Sequence, residues 1–66
     1  MPIIRVELFP GRSPAQKSAL ARSLTEGFVA SCGGKPEQVH VIIEEIAPDN
    51  WAVAGELVSA RLARGT

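Results

Sequence analysis

The sequence predicts an α/β chain (in the α+β sense) made of one βαβ unit and a short C-terminal hairpin, its sheet completed by oligomerisation. Three observations predict it. Residues 3–8 alternate as a short strand, residues 14–32 carry a helical apolar stripe between a start and a stop signal, and residues 39–46 are rich in Val and Ile. A strand, a helix of about five turns and a second strand connect only by a crossover, so the strands run parallel with a right-handed connection.

In the first strand Ile4, Val6 and Leu8 point one way, and Ile3, Arg5 and Glu7 the other. Phe9-Pro10-Gly11 breaks the run as a turn. Ser13 then caps a helix, Pro14 fits its first position, and Gln16 completes a capping box. Leu20, Leu24 and Phe28 form the apolar stripe, Ala21 widens it, and Lys17, Arg22 and Glu26 fall toward solvent. Gly33-Gly34 supplies the left-handed stop, and Pro36 prevents resumption. In the second strand Val39, Val41 and Ile43 share a face, while His40, Ile42 and Glu44 share the other. Ala47-Pro48-Asp49-Asn50 is a turn, and residues 51–55 read as a hairpin arm. The tail from Glu56 reads equally as helix or extended chain.

Size and composition decide the rest. The 66 residues form one expected domain over 1–66. A chain this short buries only about 60% of its unfolded surface, so it needs disulfides, a metal or copies of itself. One cysteine rules out an internal disulfide, and one cysteine with one histidine cannot build a structural zinc site. Oligomerisation remains, and two parallel strands with open edges need it too. A hydrophobic content of 45% argues against disorder. Seven Lys/Arg balance seven Asp/Glu with no basic run, which disfavours nucleic acid as a partner. No apolar stretch approaches membrane-spanning length and no signal-peptide pattern is present, so the expected setting is the cytoplasm, away from membrane.

The residue after the initiator methionine is Pro2. Removal of Met1 would leave Pro2 a free secondary amine, mostly protonated in water. Burial among apolar groups and a nearby cation would lower its pKa and make it a general base near neutral pH. The plain alternative is an ordinary start to the chain.

The residues Pro2-Ile3-Ile4, Glu7-Leu8, Gly11-Arg12-Ser13, Gln16-Lys17, Val41-Ile42-Ile43-Glu44-Glu45, Asn50-Trp51 and Gly55-Glu56-Leu57 resemble the 4-oxalocrotonate tautomerase family without gaps from Pro2 to about Ser59. The resemblance implies a βαβ fold with a C-terminal hairpin, assembled as a hexamer described as a trimer of dimers; pairing with a related chain stays open, and with one chain in hand a homo-oligomer is the simpler expectation. It implies a proton shuttled by Pro2 between the enol or dienol and the keto form of a small 2-oxo carboxylate, with no cofactor and no metal, in the setting of aromatic catabolism. Arg12 stands where the family binds the substrate carboxylate, a task suited to a bidentate guanidinium that stays charged. It would come from a neighbouring subunit, because the length of the first strand separates it from Pro2. A solvated arginine beside a helix start is the bland reading.

His40 departs from the family, which has a second arginine there to polarise the 2-oxo group. Histidine reaches less far, offers one donor when neutral, and carries a charge that depends on pH. Turnover of a dicarboxylate is expected to weaken, or the natural substrate to differ. His40 reads equally as structural. Trp51 stands at a family phenylalanine and reads equally as core packing and as a pocket wall that excludes water. Ile3, Leu8 and Val53 are candidate pocket lining.

Other candidates fail on geometry. Glu44 and Glu45 are adjacent on a strand, so their carboxylates face opposite sides. Cys32 sits at the helix C-terminus, where the dipole disfavours a thiolate. Gly33-Gly34 shows no phosphate-binding pattern. Two other functions stay open: a family-related dehalogenase, hydratase or decarboxylase on small acids, and a non-catalytic oligomeric binding module.

Overall fold

The alternating run becomes strand β1 (Ile3–Leu8), and the second apolar run becomes β2 (His40–Glu45). The structure, a computed structural model, describes residues 1–65. The two strands pair in parallel, with Ile3 level with His40, Arg5 with Ile42, and Glu7 with Glu44. Ile4, Val6, Leu8, Val41 and Ile43 are half-buried, whereas Ile3, Arg5, Glu7, His40, Ile42 and Glu44 are exposed. The period of two therefore separates a covered face from an open one.

Helix α1 (Pro14–Cys32) makes the crossover. Its start is the expected capping box: Ser13 Oγ accepts from the Gln16 N–H at 3.1 Å, and Gln16 Oε1 accepts from the Ser13 N–H at 2.9 Å. Its stop is Gly33, whose φ of 82° is the left-handed region that favours glycine, and whose N–H donates to the Val29 carbonyl at 2.9 Å. Lys17 corrects one expectation. Instead of pointing into solvent, its Nζ lies 2.8 Å from Glu45 Oε2, and both side chains are about one-third exposed. The helix thus ties its first turns to the end of β2. Glu44 turns the other way and pairs with Arg5 Nη1 at 3.2 Å, so the two adjacent glutamates do face opposite sides.

Strand β2 is one residue shorter at each end than the apolar run. The Val39 N–H is taken by the Pro36 carbonyl in a 3-10 turn (Pro36–Gln38), so Val39 cannot donate across the ladder. A second 3-10 turn (Pro48–Asn50) leads to β3 (Ala52–Val53) and β4 (Glu56–Leu57), which pair antiparallel. The hairpin turn has Ala54 at φ 53° and Gly55 at φ 82°, the positive values a tight hairpin demands. The ambiguous tail resolves into both alternatives: β4 is followed at once by a short helix, α2 (Val58–Ala63). Glu56 holds this tail, paired with Arg61 at 3.6 Å and also with Arg64.

No described residue is fully buried. The chain exposes 4798 Å², whereas a compact protein of its mass exposes about 4,000 Å². Its radius of gyration is 15.4 Å, against about 11 Å for a compact domain of this length. The dimensions of 46 × 25 × 16 Å describe a slab with apolar sides half covered. An open groove of about 600 Å³ runs along α1 beside Ala21, Thr25, Val29 and Pro36. No helix among the described residues is long and apolar enough to cross a membrane.

Candidate active site

The candidate residues fall into two groups, one at each end of the parallel strands. At the N-terminal end lies Pro2, half-buried, its carbonyl accepting the His40 N–H at 2.9 Å. The parallel ladder fixes this neighbourhood, because the same register that sets Ile3 beside His40 brings Pro2 against the start of β2. Ile3 is 60% exposed and His40 is exposed with it on the open face of the sheet.

At the C-terminal end lie Arg12 and Trp51, joined through Phe9, which the sequence alone places only in a turn. Phe9 packs its ring on Trp51, with centroids 4.3 Å apart and planes inclined at 45°. The Phe9 carbonyl accepts from Arg12 Nη1 at 3.1 Å. Trp51 is anchored in turn by its carbonyl, which accepts the Val58 N–H at 2.8 Å as α2 begins. Phe9 and Trp51 are both half-buried, so each ring keeps some accessible surface beside the exposed Arg12. The signal for Phe9 was present: it is one of only three aromatic residues, and it stands at the mouth of the Gly-Arg-Ser turn.

The lining candidates are dispersed. Leu8 belongs to the covered face of β1, Ile3 to the open face, and Val53 to the hairpin, where it is 47% exposed. Phe9 is the residue that touches Trp51.

Charge is distributed as unevenly as shape. Of the seven Lys and Arg residues, Arg5, Lys17, Arg61 and Arg64 pair with Glu44, Glu45 and Glu56. Arg12, Arg22 and Lys35 carry no carboxylate among the described residues. Arg22 lies on α1 and Lys35 in the loop after it, which leaves Arg12 as the uncommitted cation next to the aromatic pair. Among the described residues no group of three or more His, Cys, Asp or Glu is placed to hold a metal ion.

The two groups are separated by the length of β1. Six residues at ~3.3 Å per residue put about 20 Å between its ends. A small acid held by Arg12 is out of reach of Pro2 in the same chain.

Residues 2–61 match the family model described as tautomerase enzyme. The chain belongs to the tautomerase family. A relative from Halalkalibacterium halodurans, named "probable tautomerase", is 41% identical over 89% of this chain and 97% of its own length. Among solved structures, TomN, a 4-oxalocrotonate tautomerase homologue in the tomaymycin biosynthetic pathway, superposes with a TM-score of 0.92 at 42% identity, covering 98% of this chain and all of its own. The heterohexamer 4-oxalocrotonate tautomerase from Chloroflexus aurantiacus superposes with a TM-score of 0.83 at 34% identity, covering 89% of this chain and 95% of its own. The βαβ unit with its C-terminal hairpin is thus the tautomerase fold, as the sequence predicts.

Proposed function

We propose that this chain is a cofactor-independent tautomerase that interconverts the enol or dienol and keto forms of a small 2-oxo carboxylate, with Pro2 as base and then acid. It acts as a cytoplasmic homohexamer, a trimer of dimers, in which the N-terminal end of one sheet meets the C-terminal end of another. The observation that carries this reading is the division of the candidate residues between the two ends of β1, on a chain whose apolar faces stay half covered. One interface between copies would complete both the fold and the site.

In the mechanism, the Pro2 nitrogen, freed by removal of Met1, takes the proton of the enol hydroxyl. The O–H electron pair closes to the carbonyl, the conjugated π pair shifts to carbon, and the protonated amine returns the proton there. Atoms and electrons balance with no oxidant or reductant. Arg12 of a second copy pairs with the substrate carboxylate and fixes the carbon to be protonated near the amine. His40 donates to the 2-oxo oxygen as charge develops on it. Trp51 excludes water, and Ile3, Leu8 and Val53 contribute apolar surface. With Met1 attached, Pro2 has an amide nitrogen and no basic lone pair.

The test joins intact mass with kinetics on a simple enol, phenylenolpyruvate. The purified chain is expected to lack Met1, and Pro2→Ala to slow ketonisation at least about 100-fold, the usual worth of a positioned acid–base group. A retained methionine, or equal rates for the two proteins, overturns the reading in favour of a binding module.

A further inference from the structure

Resting on the tautomerase reading above, we infer that the pocket selects a substrate with one carboxylate and a planar apolar end, an aryl-substituted enol acid, over an acid with a carboxylate at each end. Three observations converge. The first is the Phe9–Trp51 pair, two half-buried rings whose centroids lie 4.3 Å apart beside the turn that carries Arg12. Aromatic faces favour offset or edge contact with another ring and gain little from a carboxylate, which loses water there without a partner.

The second is the charge inventory. Arg5 is spent on Glu44, Lys17 on Glu45, and Arg61 and Arg64 on Glu56. Arg12 alone stands uncommitted at the aromatic end, oriented by the Phe9 carbonyl. One free guanidinium matches one carboxylate.

The third is His40, exposed on the open face where the N-terminal group lies. Its neighbours level with it or next along the sheet are Ile3 and Ile42, both exposed and apolar. A neutral imidazole gives one hydrogen bond to a carbonyl oxygen there but no second fixed cation for a second carboxylate. Joined in one pocket, the two ends therefore offer a dianion one fixed cation among the candidate residues, Arg12. The same Phe9 backbone and ring position both recognition elements: its carbonyl holds the cation and its ring packs on Trp51.

The proton movement is unchanged by this choice. The enol proton leaves oxygen, its electron pair forms the carbonyl, and the proton is returned to the carbon that bears the aryl group.

The experiment measures kcat/KM for phenylenolpyruvate and for 2-hydroxymuconate, which has two carboxylates, on the assembled protein. Wild type is expected to favour the aryl acid at least about tenfold. Phe9→Ala, and separately His40→Arg, are each expected to lower the aryl-to-dicarboxylate ratio about tenfold, the order that one aromatic contact or one charge-assisted bond supplies. Each variant's assembly is checked by sedimentation, and Phe9→Leu replaces Phe9→Ala should the latter fail to assemble. A wild-type preference for the dicarboxylate, or a ratio unmoved by both substitutions, overturns the inference. Pro2→Ala distinguishes a wrong substrate class from a wrong reaction. If it abolishes turnover of both acids while the dicarboxylate is preferred, the substrate class alone is wrong. If it changes neither rate, the tautomerase reading falls with it.

Discussion

Leu8 and Phe9 are chain neighbours with different tasks. Leu8 belongs to the covered face of β1, whereas Phe9 leaves the strand, packs at a tilt against Trp51 and offers its carbonyl to Arg12. Strand alternation made Leu8 legible but says nothing about where a residue goes once the strand has ended. Arg12, His40 and Trp51 were marked as candidate positions by the family resemblance, not by residue type or spacing alone. Their grouping was not, since it depends on register and on a backbone carbonyl at a turn. Arg12→Ala removes a charge-assisted contact worth ~1.5–3 kcal/mol, so kcat/KM is expected to fall about 10- to 100-fold, chiefly through KM. Steady-state kinetics on phenylenolpyruvate checks this, and an unchanged KM removes Arg12 from the site.

The elements that could be read most closely are those with local signals. Helix α1 begins and ends where Ser13, Pro14, Gln16 and Gly33 say it does, because capping bonds join residues within a few positions of one another. Ser13→Ala is expected to cost about 1 kcal/mol through loss of the cap, measurable by urea denaturation at fixed protein concentration. What local signals missed is tertiary. Lys17 is drawn to Glu45 across the crossover, Val39 yields its N–H to a turn, and the tail divides between strand and helix once β4 finds β3. The hairpin turn holds a non-glycine residue, Ala54, at φ 53° before Gly55. Asparagine tolerates that conformation better than alanine, so Ala54→Asn is expected to stabilise by about 0.5–1 kcal/mol and raise the thermal midpoint. A lower midpoint contradicts this account of the turn.

At the scale of the molecule, the sequence was informative through arithmetic. A chain of 66 residues without disulfide or metal ligands calls for copies of itself. The excess surface, the large radius of gyration and the absence of any fully buried described residue agree with that expectation. The open sheet face, with Ile3 and Ile42 among Arg5, Glu7 and Glu44, is one surface that assembly would cover. Ile42→Glu sets a further carboxylate level with Arg5 and two residues from Glu44, and it is expected to dissociate the oligomer and abolish activity together. Sedimentation equilibrium read beside enol turnover checks this, and an active, separated monomer contradicts it.

The proposed mechanism requires that Pro2 and Arg12 of one pocket come from different copies of the chain. Mixing tests it most directly. Pro2→Ala and Arg12→Ala proteins, each impaired at least about tenfold in kcat/KM alone, are dissociated together, reassembled in equal amounts, and assayed with phenylenolpyruvate well below KM. Random assembly gives about a quarter of pockets an intact Pro2 from one copy and an intact Arg12 from another, so about a quarter of wild-type activity is expected to return. A mixture that assembles fully and is no more active than the average of its two parents contradicts a shared pocket.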